Sequence, residues 1–178
     1  MKLAVCFTNF GPYHLARLRA LGRAMDRLGD RLIAYEVAGH ERKYPWSAPA
    51  ADHEPFQWNR FFPDREVETI PSGECTAAIR AALDRDQPDA VAILGYARPE
   101  SLAALRSSRP NGAPLILMSE SQEIDHPRVW WKEAIKRRRL RHVHAALVGG
   151  PSHRAYLVKL GVPNGRIVLG YNAVDNAF

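Results

Sequence analysis

A chain of 178 residues is long enough for one domain with a substantial core and hardly long enough for two. Hydrophobic residues at 46% and charged residues at 25% are ordinary for a folded protein, and exclude long disorder, a collagen repeat and a disulfide scaffold. The net charge is +6; seven cations against one acid between Arg128 and Arg141 account for all of it, so the rest of the chain is balanced.

Leu3 to Thr8 is a short apolar run of strand formers, broken at Gly11-Pro12. Leu18, Leu21, Met25 and Leu28 follow at helical spacing, with Gly29 as the stop, and Arg31 to Val37 reads as a second strand. A strand, a tight turn and an amphipathic helix feeding another apolar strand open a parallel βαβ unit. Val67 to Ile70 reads as a short third strand, and Glu74 to Arg85 as a helix. Asp89 to Leu94 and Pro114 to Met118 are nearly continuous apolar strands, as expected when both faces of a parallel sheet are covered. A helix from Pro99 to Ser108 lies between them. The basic segment from Arg128 to His142 is helical, Ala145 to Val148 is a strand, Ser152 caps a helix closed by Gly161, and Ile167 to Leu169 is a seventh strand. The prediction is α/β: a doubly wound, mainly parallel Rossmann-like sheet of about seven strands in one domain, residues 1–178.

Residues 39–66 break this rhythm with four prolines and six aromatics. So many aromatics must pack against something, either as an insertion covering a sheet edge or as the wall of a binding pocket. No apolar run approaches the ~18 residues that cross a bilayer, and the opening run is too short for a signal-peptide core. With only Cys6 and Cys75, a reducing cytoplasm is the expected setting.

In open α/β sheets ligands settle at the carboxyl ends of the strands. That rule selects the loop holding Gly11, Tyr13 and His14, the one holding Tyr96, and the one holding Glu120 and Ser121. The first loop lacks G-x-G-x-x-G and a Walker lysine, so neither dinucleotide nor P-loop chemistry is supported. Its lone Gly11 either merely permits the turn or lets an anion approach a helix start. Glu120 is a candidate acid-base group, or else part of a solvated acidic loop that pairs with Arg128 and Lys132, which are themselves candidate substrate-binding residues with those of the selected loops; His126 is a weaker candidate. No His or Cys pair has metal-ligand spacing, so no metal is expected. The basic helix with Trp130-Trp131 fits a solvated helix, an anionic membrane surface or, least well, nucleic acid. Lys136, Arg137, Arg138, Arg139 and Arg141 would form its anion patch.

Ser119-Glu120-Ser121, the basic helix, Ala146-Leu147-Val148-Gly149-Gly150-Pro151-Ser152, Leu160-Gly161-Val162-Pro163, Arg166-Ile167 and Gly170 to Phe178 stand in an order that resembles the N-terminal half of GT-B glycosyltransferases of family 4. The final ~35 residues carry the specific signal. The resemblance implies a retaining, metal-free transferase that moves a sugar from a nucleotide-sugar donor to a sugar acceptor, with no other cofactor. It implies that this half holds the acceptor, and that a C-terminal donor-binding domain, absent here, holds most of the nucleotide. Without that domain the half should not turn over. Gly11 would lie near the donor, Glu120 would stand where many members have a His, and Asn172 and Asp175 would form the hinge. The basic helix matches a region through which several members touch acidic membrane or an anionic acceptor, the former implying a peripheral station on the inner face of the cell membrane. Two readings from other classes stay open: a flavodoxin-like module for a phosphorylated small molecule, and a basic membrane- or RNA-binding protein.

Overall fold

The computed structural model describes residues 1–43, 53–107 and 112–171. Its seven strands are β1 (Lys2–Phe7), β2 (Arg31–His40), β3 (Gln57–Glu66), β4 (Ala90–Leu94), β5 (Leu115–Ser119), β6 (Ala145–Val148) and β7 (Ile167–Leu169). They form one sheet in the order β3-β2-β1-β4-β5-β6-β7, with every pairing parallel. The Rossmann-like sheet expected from the apolar runs is therefore present. Five helices connect the strands: α1 (Pro12–Asp26), α2 (Ser72–Asp86), α3 (Pro99–Ser107), α4 (Trp130–Leu140) and α5 (Pro151–Lys159). Strand order reverses between β1 and β4, which opens a crevice between their carboxyl ends.

Alternate residues of the central strands feed two apolar layers. Cys6, Ile33, Tyr35, Ile93 and Leu117 pack with residues of α2, α3 and α5 on one face. Val5, Phe7, Ala34 and Ala92 pack with Leu15, Leu18 and Met25 of α1 on the other. Burial on both faces explains why these strands read as unbroken apolar runs. The second layer thins away from α1, where Leu94, Ile116 and Leu147 are only partly buried.

Four local expectations are corrected. Val67–Thr69 is a 3-10 turn, and the third strand is Gln57–Glu66, inside the stretch read as an insertion. As an edge strand β3 tolerates Pro63, which has no N–H for a ladder. Gly39 faces it so closely that a Cβ there would stand 1.9 Å from the Pro63 carbonyl oxygen, and the register shifts between Ala38 and His40. The aromatics of this stretch do pack: Phe56 is buried, and Phe61 and Phe62 lie against the core. Tyr44 and Trp46 lie outside the described residues.

On α1 the inward stripe is Leu15, Leu18, Gly22 and Met25, while Leu21 and Leu28 face solvent. Gly22 admits the carbonyl of Pro55, which would lie 2.2 Å from an added Cβ. The cap of α5 is Gly150 with no side-chain bond, so Ser152 is not its cap. The basic helix begins at Trp130, which leaves Arg128 in the loop before it.

Candidate functional site

The β1–α1 loop lies at the centre of the sheet's carboxyl end, and buried polar contacts hold it. Thr8 and Asn9 are both buried. The Asn9 amide donates to the Ala38 carbonyl at 3.1 Å, and the Thr8 hydroxyl donates to Oε1 of Glu100 at 2.9 Å. Glu36, fully buried in β2, accepts from the Phe10 N–H at 2.7 Å and from the Trp58 indole at 2.9 Å. It also pairs with Arg60 at 2.5 Å. Gly11 is the buried N-cap of α1 in ordinary extended backbone (φ −72°), so no left-handed conformation demands glycine there.

His14 stands in the first turn of α1, half-buried, its ring stacked on Phe7 at 4.3 Å. Its Nδ1 lies 3.1 Å from the Asn9 carbonyl. A carbonyl only accepts, so Nδ1 carries the proton and the neutral ring keeps its lone pair on Nε2. Burial and the neighbouring Arg17 lower the His14 pKa; the Asn9 bond, Glu120 and Glu41 oppose them without prevailing. The ring is therefore neutral near pH 7. Arg17 lies over the Tyr171 ring at 5.0 Å, and burial pushes the Tyr171 phenol up to about 12, with Arg17 opposing and Glu120 reinforcing. Glu120 is exposed just beyond β5 and acts on both His14 and Tyr171. Groups from the loops after β1, β5 and β7 thus act on one another at the carboxyl end of the sheet.

A second carboxylate flanks the crevice. Glu100, 3% exposed in the first turn of α3, has its pKa raised by burial and by Glu41. Its own backbone N–H, the Thr8 hydroxyl and Arg98 pull the other way. Arg98, before α3, donates to Glu41, after β2, at 3.0 Å. Because β1 lies between β2 and β4, this pair spans the end of β1.

The remaining predicted residues divide into two groups. Tyr13 is 63% exposed, whereas Tyr96 is buried in the core and offers its carbonyl to Arg139. Ser121 donates its backbone N–H to Ser119 Oγ at 3.3 Å. Arg128 donates to the Gln122 and Glu123 carbonyls and lies over the Tyr156 ring at 4.4 Å, so it braces the loop before α4. Lys136 donates to Glu133 and to the Tyr156 hydroxyl, which itself donates to Glu133. Lys132 is exposed beside the Trp131 ring, Arg137 and Arg138 are exposed, and Arg141 donates to His142. His126 is exposed, and Asn172 and Asp175 lie outside the described residues.

Glu36, Glu41, Arg17 and Glu100 were not anticipated. For Glu36 the signal was there: a single acid inside the apolar run Leu32 to Ala38 must be buried and therefore partnered. Among the described residues no group of three His, Cys, Asp or Glu could hold a metal ion, and no helix is long and apolar enough to cross a membrane. A cavity of about 490 Å³ lies at the opposite end of the sheet, lined by Lys2, Arg31, Glu54, Phe56 and Asp86 among others. Glu54 there is spent on Arg19 and Asp86 on Arg85.

No family model matches the sequence, and no curated protein matches it. Solved structures do match. The UDP-GlcNAc 2-epimerase of Neisseria meningitidis, with UDP-GlcNAc bound, superposes with a TM-score of 0.58 at 13% identity, over 95% of this chain and 45% of its own. A sucrose-phosphate synthase structure from Thermosynechococcus elongatus gives 0.60 at 13% identity, over 99% and 91%. The epimerase of Rickettsia bellii gives 0.58 at 14% identity, over 94% and 43%. At these identities the likeness is one of fold. The chain spans less than half the length of either epimerase.

Proposed function

We propose that this chain is the acceptor-holding, N-terminal half of a GT-B enzyme of family 4, a retaining glycosyltransferase that takes a sugar from a nucleotide-sugar donor. The observation that carries this reading is the grouping of His14, Arg17, Glu120 and Tyr171 at the carboxyl end of a sheet whose fold recurs in a UDP-GlcNAc 2-epimerase with UDP-GlcNAc bound and in a sucrose-phosphate synthase. Neutral His14 offers Nε2 to an acceptor hydroxyl, and Glu120 supplies an exposed carboxylate beside it. No residue here needs a metal for its role. The acid that follows β2, where nucleotide-binding doubly wound domains hold the ribose, is Glu41, and it is engaged by Arg98 at 3.0 Å. In this reading most of the nucleotide belongs to the other half, and this half alone does not turn over, because nothing in it orients the reacting sugar.

The test is made on this chain joined to its nucleotide-holding half. His14→Ala and Glu120→Gln should each lower kcat at least ~10-fold, the usual minimum for a group handling a proton. Unchanged kcat in both would reject the assignment. Calorimetry on this half with UDP separates the rival module: micromolar affinity would favour a phosphorylated-ligand binder.

The acceptor side of this reading extends to an anionic membrane at the cytoplasmic surface. Only Leu140 of α4 is buried, while Trp130 is 82% exposed and Trp131 and Ile135 stand out beside Arg138. Tryptophan with arginine on one outward face suits a lipid headgroup layer better than nucleic acid, at about 1 kcal/mol of attraction per cation. Lys136 and Arg139 are turned to the protein, which leaves Arg137, Arg138 and Arg141 of the patch outward, with exposed Lys132 added to them. Trp130→Ala with Arg138→Glu should abolish sedimentation with phosphatidylglycerol vesicles and leave the fold intact. Persistent binding would reject the membrane.

A further inference from the structure

We propose that Glu36 is a positioning residue for His14: by gripping the β1–α1 loop it dictates which imidazole nitrogen is presented at the carboxyl end of the sheet. The inference rests on the reading of that end as the site, but it can be tested without a substrate.

The chain of contacts is short. Glu36 is a fully buried carboxylate, and a buried charge persists only when donors surround it. Its Oε1 takes the Phe10 N–H at 2.7 Å and, more weakly, the Asn9 amide at 3.4 Å. Its Oε2 takes the Trp58 indole N–H at 2.9 Å and the Arg60 guanidinium at 2.5 Å. One oxygen thus holds the loop and the other holds edge strand β3. All four contacts donate to it, so only an acceptor with two oxygens satisfies them; a glutamine would set its NH2 against one pair.

Asn9 carries the constraint onward. With its side chain tied to Glu36 and to the Ala38 carbonyl, its own carbonyl is aimed at His14 Nδ1, 3.1 Å away. The Phe7 ring limits rotation of the imidazole. Three charged groups face His14: Arg17 from its own helix, Glu41 from the loop after β2 and Glu120 from the loop after β5. Arg17 favours the neutral ring and the two carboxylates favour the cation. None of them selects a tautomer as the Asn9 carbonyl does, because charge acts on both nitrogens and a hydrogen bond acts on one.

The experiment is long-range 15N NMR of the histidine rings of this chain, with His14 assigned by its loss in His14→Gln. In the unaltered protein, above its titration midpoint, His14 should show a protonated Nδ1 and a bare Nε2. Glu36→Gln should bring the two nitrogen shifts toward a common average, the mark of mixed tautomers, and move the midpoint. If Glu36→Gln does not fold, Arg60→Met removes one Oε2 donor at a side chain 27% exposed, and should change the same signals in the same direction by less. An unchanged His14 tautomer and midpoint in folded Glu36→Gln, or in Arg60→Met where the former cannot be had, overturns the proposal. Should His14 respond while turnover of the joined enzyme ignores His14, the positioning stands and the functional reading falls.

Discussion

Two carboxylates fasten the loops around the carboxyl end of the sheet, and they are built differently. Glu36 lies in β2 with no exposure and takes donors from a backbone N–H, an indole and a guanidinium. Glu133 lies on α4 with 14% of its side chain exposed, and takes donors from the Tyr156 hydroxyl and Lys136, with Arg128 3.9 Å away. The first sits where water cannot compete, so each contact keeps most of its strength. The second is reachable by solvent and salt, and it secures a helix with one buried residue. The β1–α1 loop is consequently a fixed platform, whereas α4 is a helix held mainly by polar contacts. A platform suits groups that need a defined geometry; a lightly held helix suits a surface that meets a partner.

The contrast is broken most directly at Glu36. Replacing it with Ala strands Arg60, the Trp58 indole and the Phe10 N–H. Breaking a buried pair costs about 3–5 kcal/mol, and because Arg60 is 27% exposed the expected loss is nearer 2–3 kcal/mol. Urea unfolding measures it, and a loss below ~1 kcal/mol would mean that the node is no stronger than a surface pair.

Tyr156→Phe probes the other side. The ring remains for Arg128, and only the hydroxyl's bonds to Glu133 and Lys136 disappear. About 1 kcal/mol is expected, felt as faster amide exchange across residues 130–140 with the sheet unaffected. Exchange rising equally in β1 and β4 would show that α4 is part of the cooperative core after all. Acid should weaken this node too. Burial works against the Glu133 charge, but Lys136, Tyr156 and Arg128 hold its pKa below the ordinary 4.5. Its contribution is present above that value and lost as pH falls through the lower, folded one.

The same contrast explains what the sequence made legible. Strands such as Asp89 to Leu94 could be read because burial on both faces forces an unbroken apolar run, and the strand-end rule then chose the loops of His14 and Glu120. Strand β3 could not, since an edge strand carrying Trp58, Arg60, Phe62 and Pro63 shows neither a continuous run nor clean alternation. Its register is supplied by β2, through Glu36 and the gap at Gly39. Arg128 and Lys136 were legible as cations but not as braces, because their partner Tyr156 lies at least 20 residues on and is joined to them only by tertiary packing.

The smallest effect is expected at Glu100, the buried carboxylate that lacks what Glu36 has. Arg98 acts on it only from a distance; its direct donors are the Thr8 hydroxyl and its own backbone N–H, so burial prevails and its pKa stands above the ordinary 4.5. The sign follows from linkage. A carboxyl that protonates more readily in the folded chain contributes stability fully present below its unfolded value and lost as pH rises through the folded one. Gln imitates the protonated form at every pH and still accepts from Thr8. Glu100→Gln should therefore match the parent at pH 4 and melt about 1–2 °C higher at pH 7.5. A difference independent of pH would show that the Glu100 charge is as well compensated as that of Glu36, and would erase the distinction between a buried carboxylate that anchors and one that is merely tolerated.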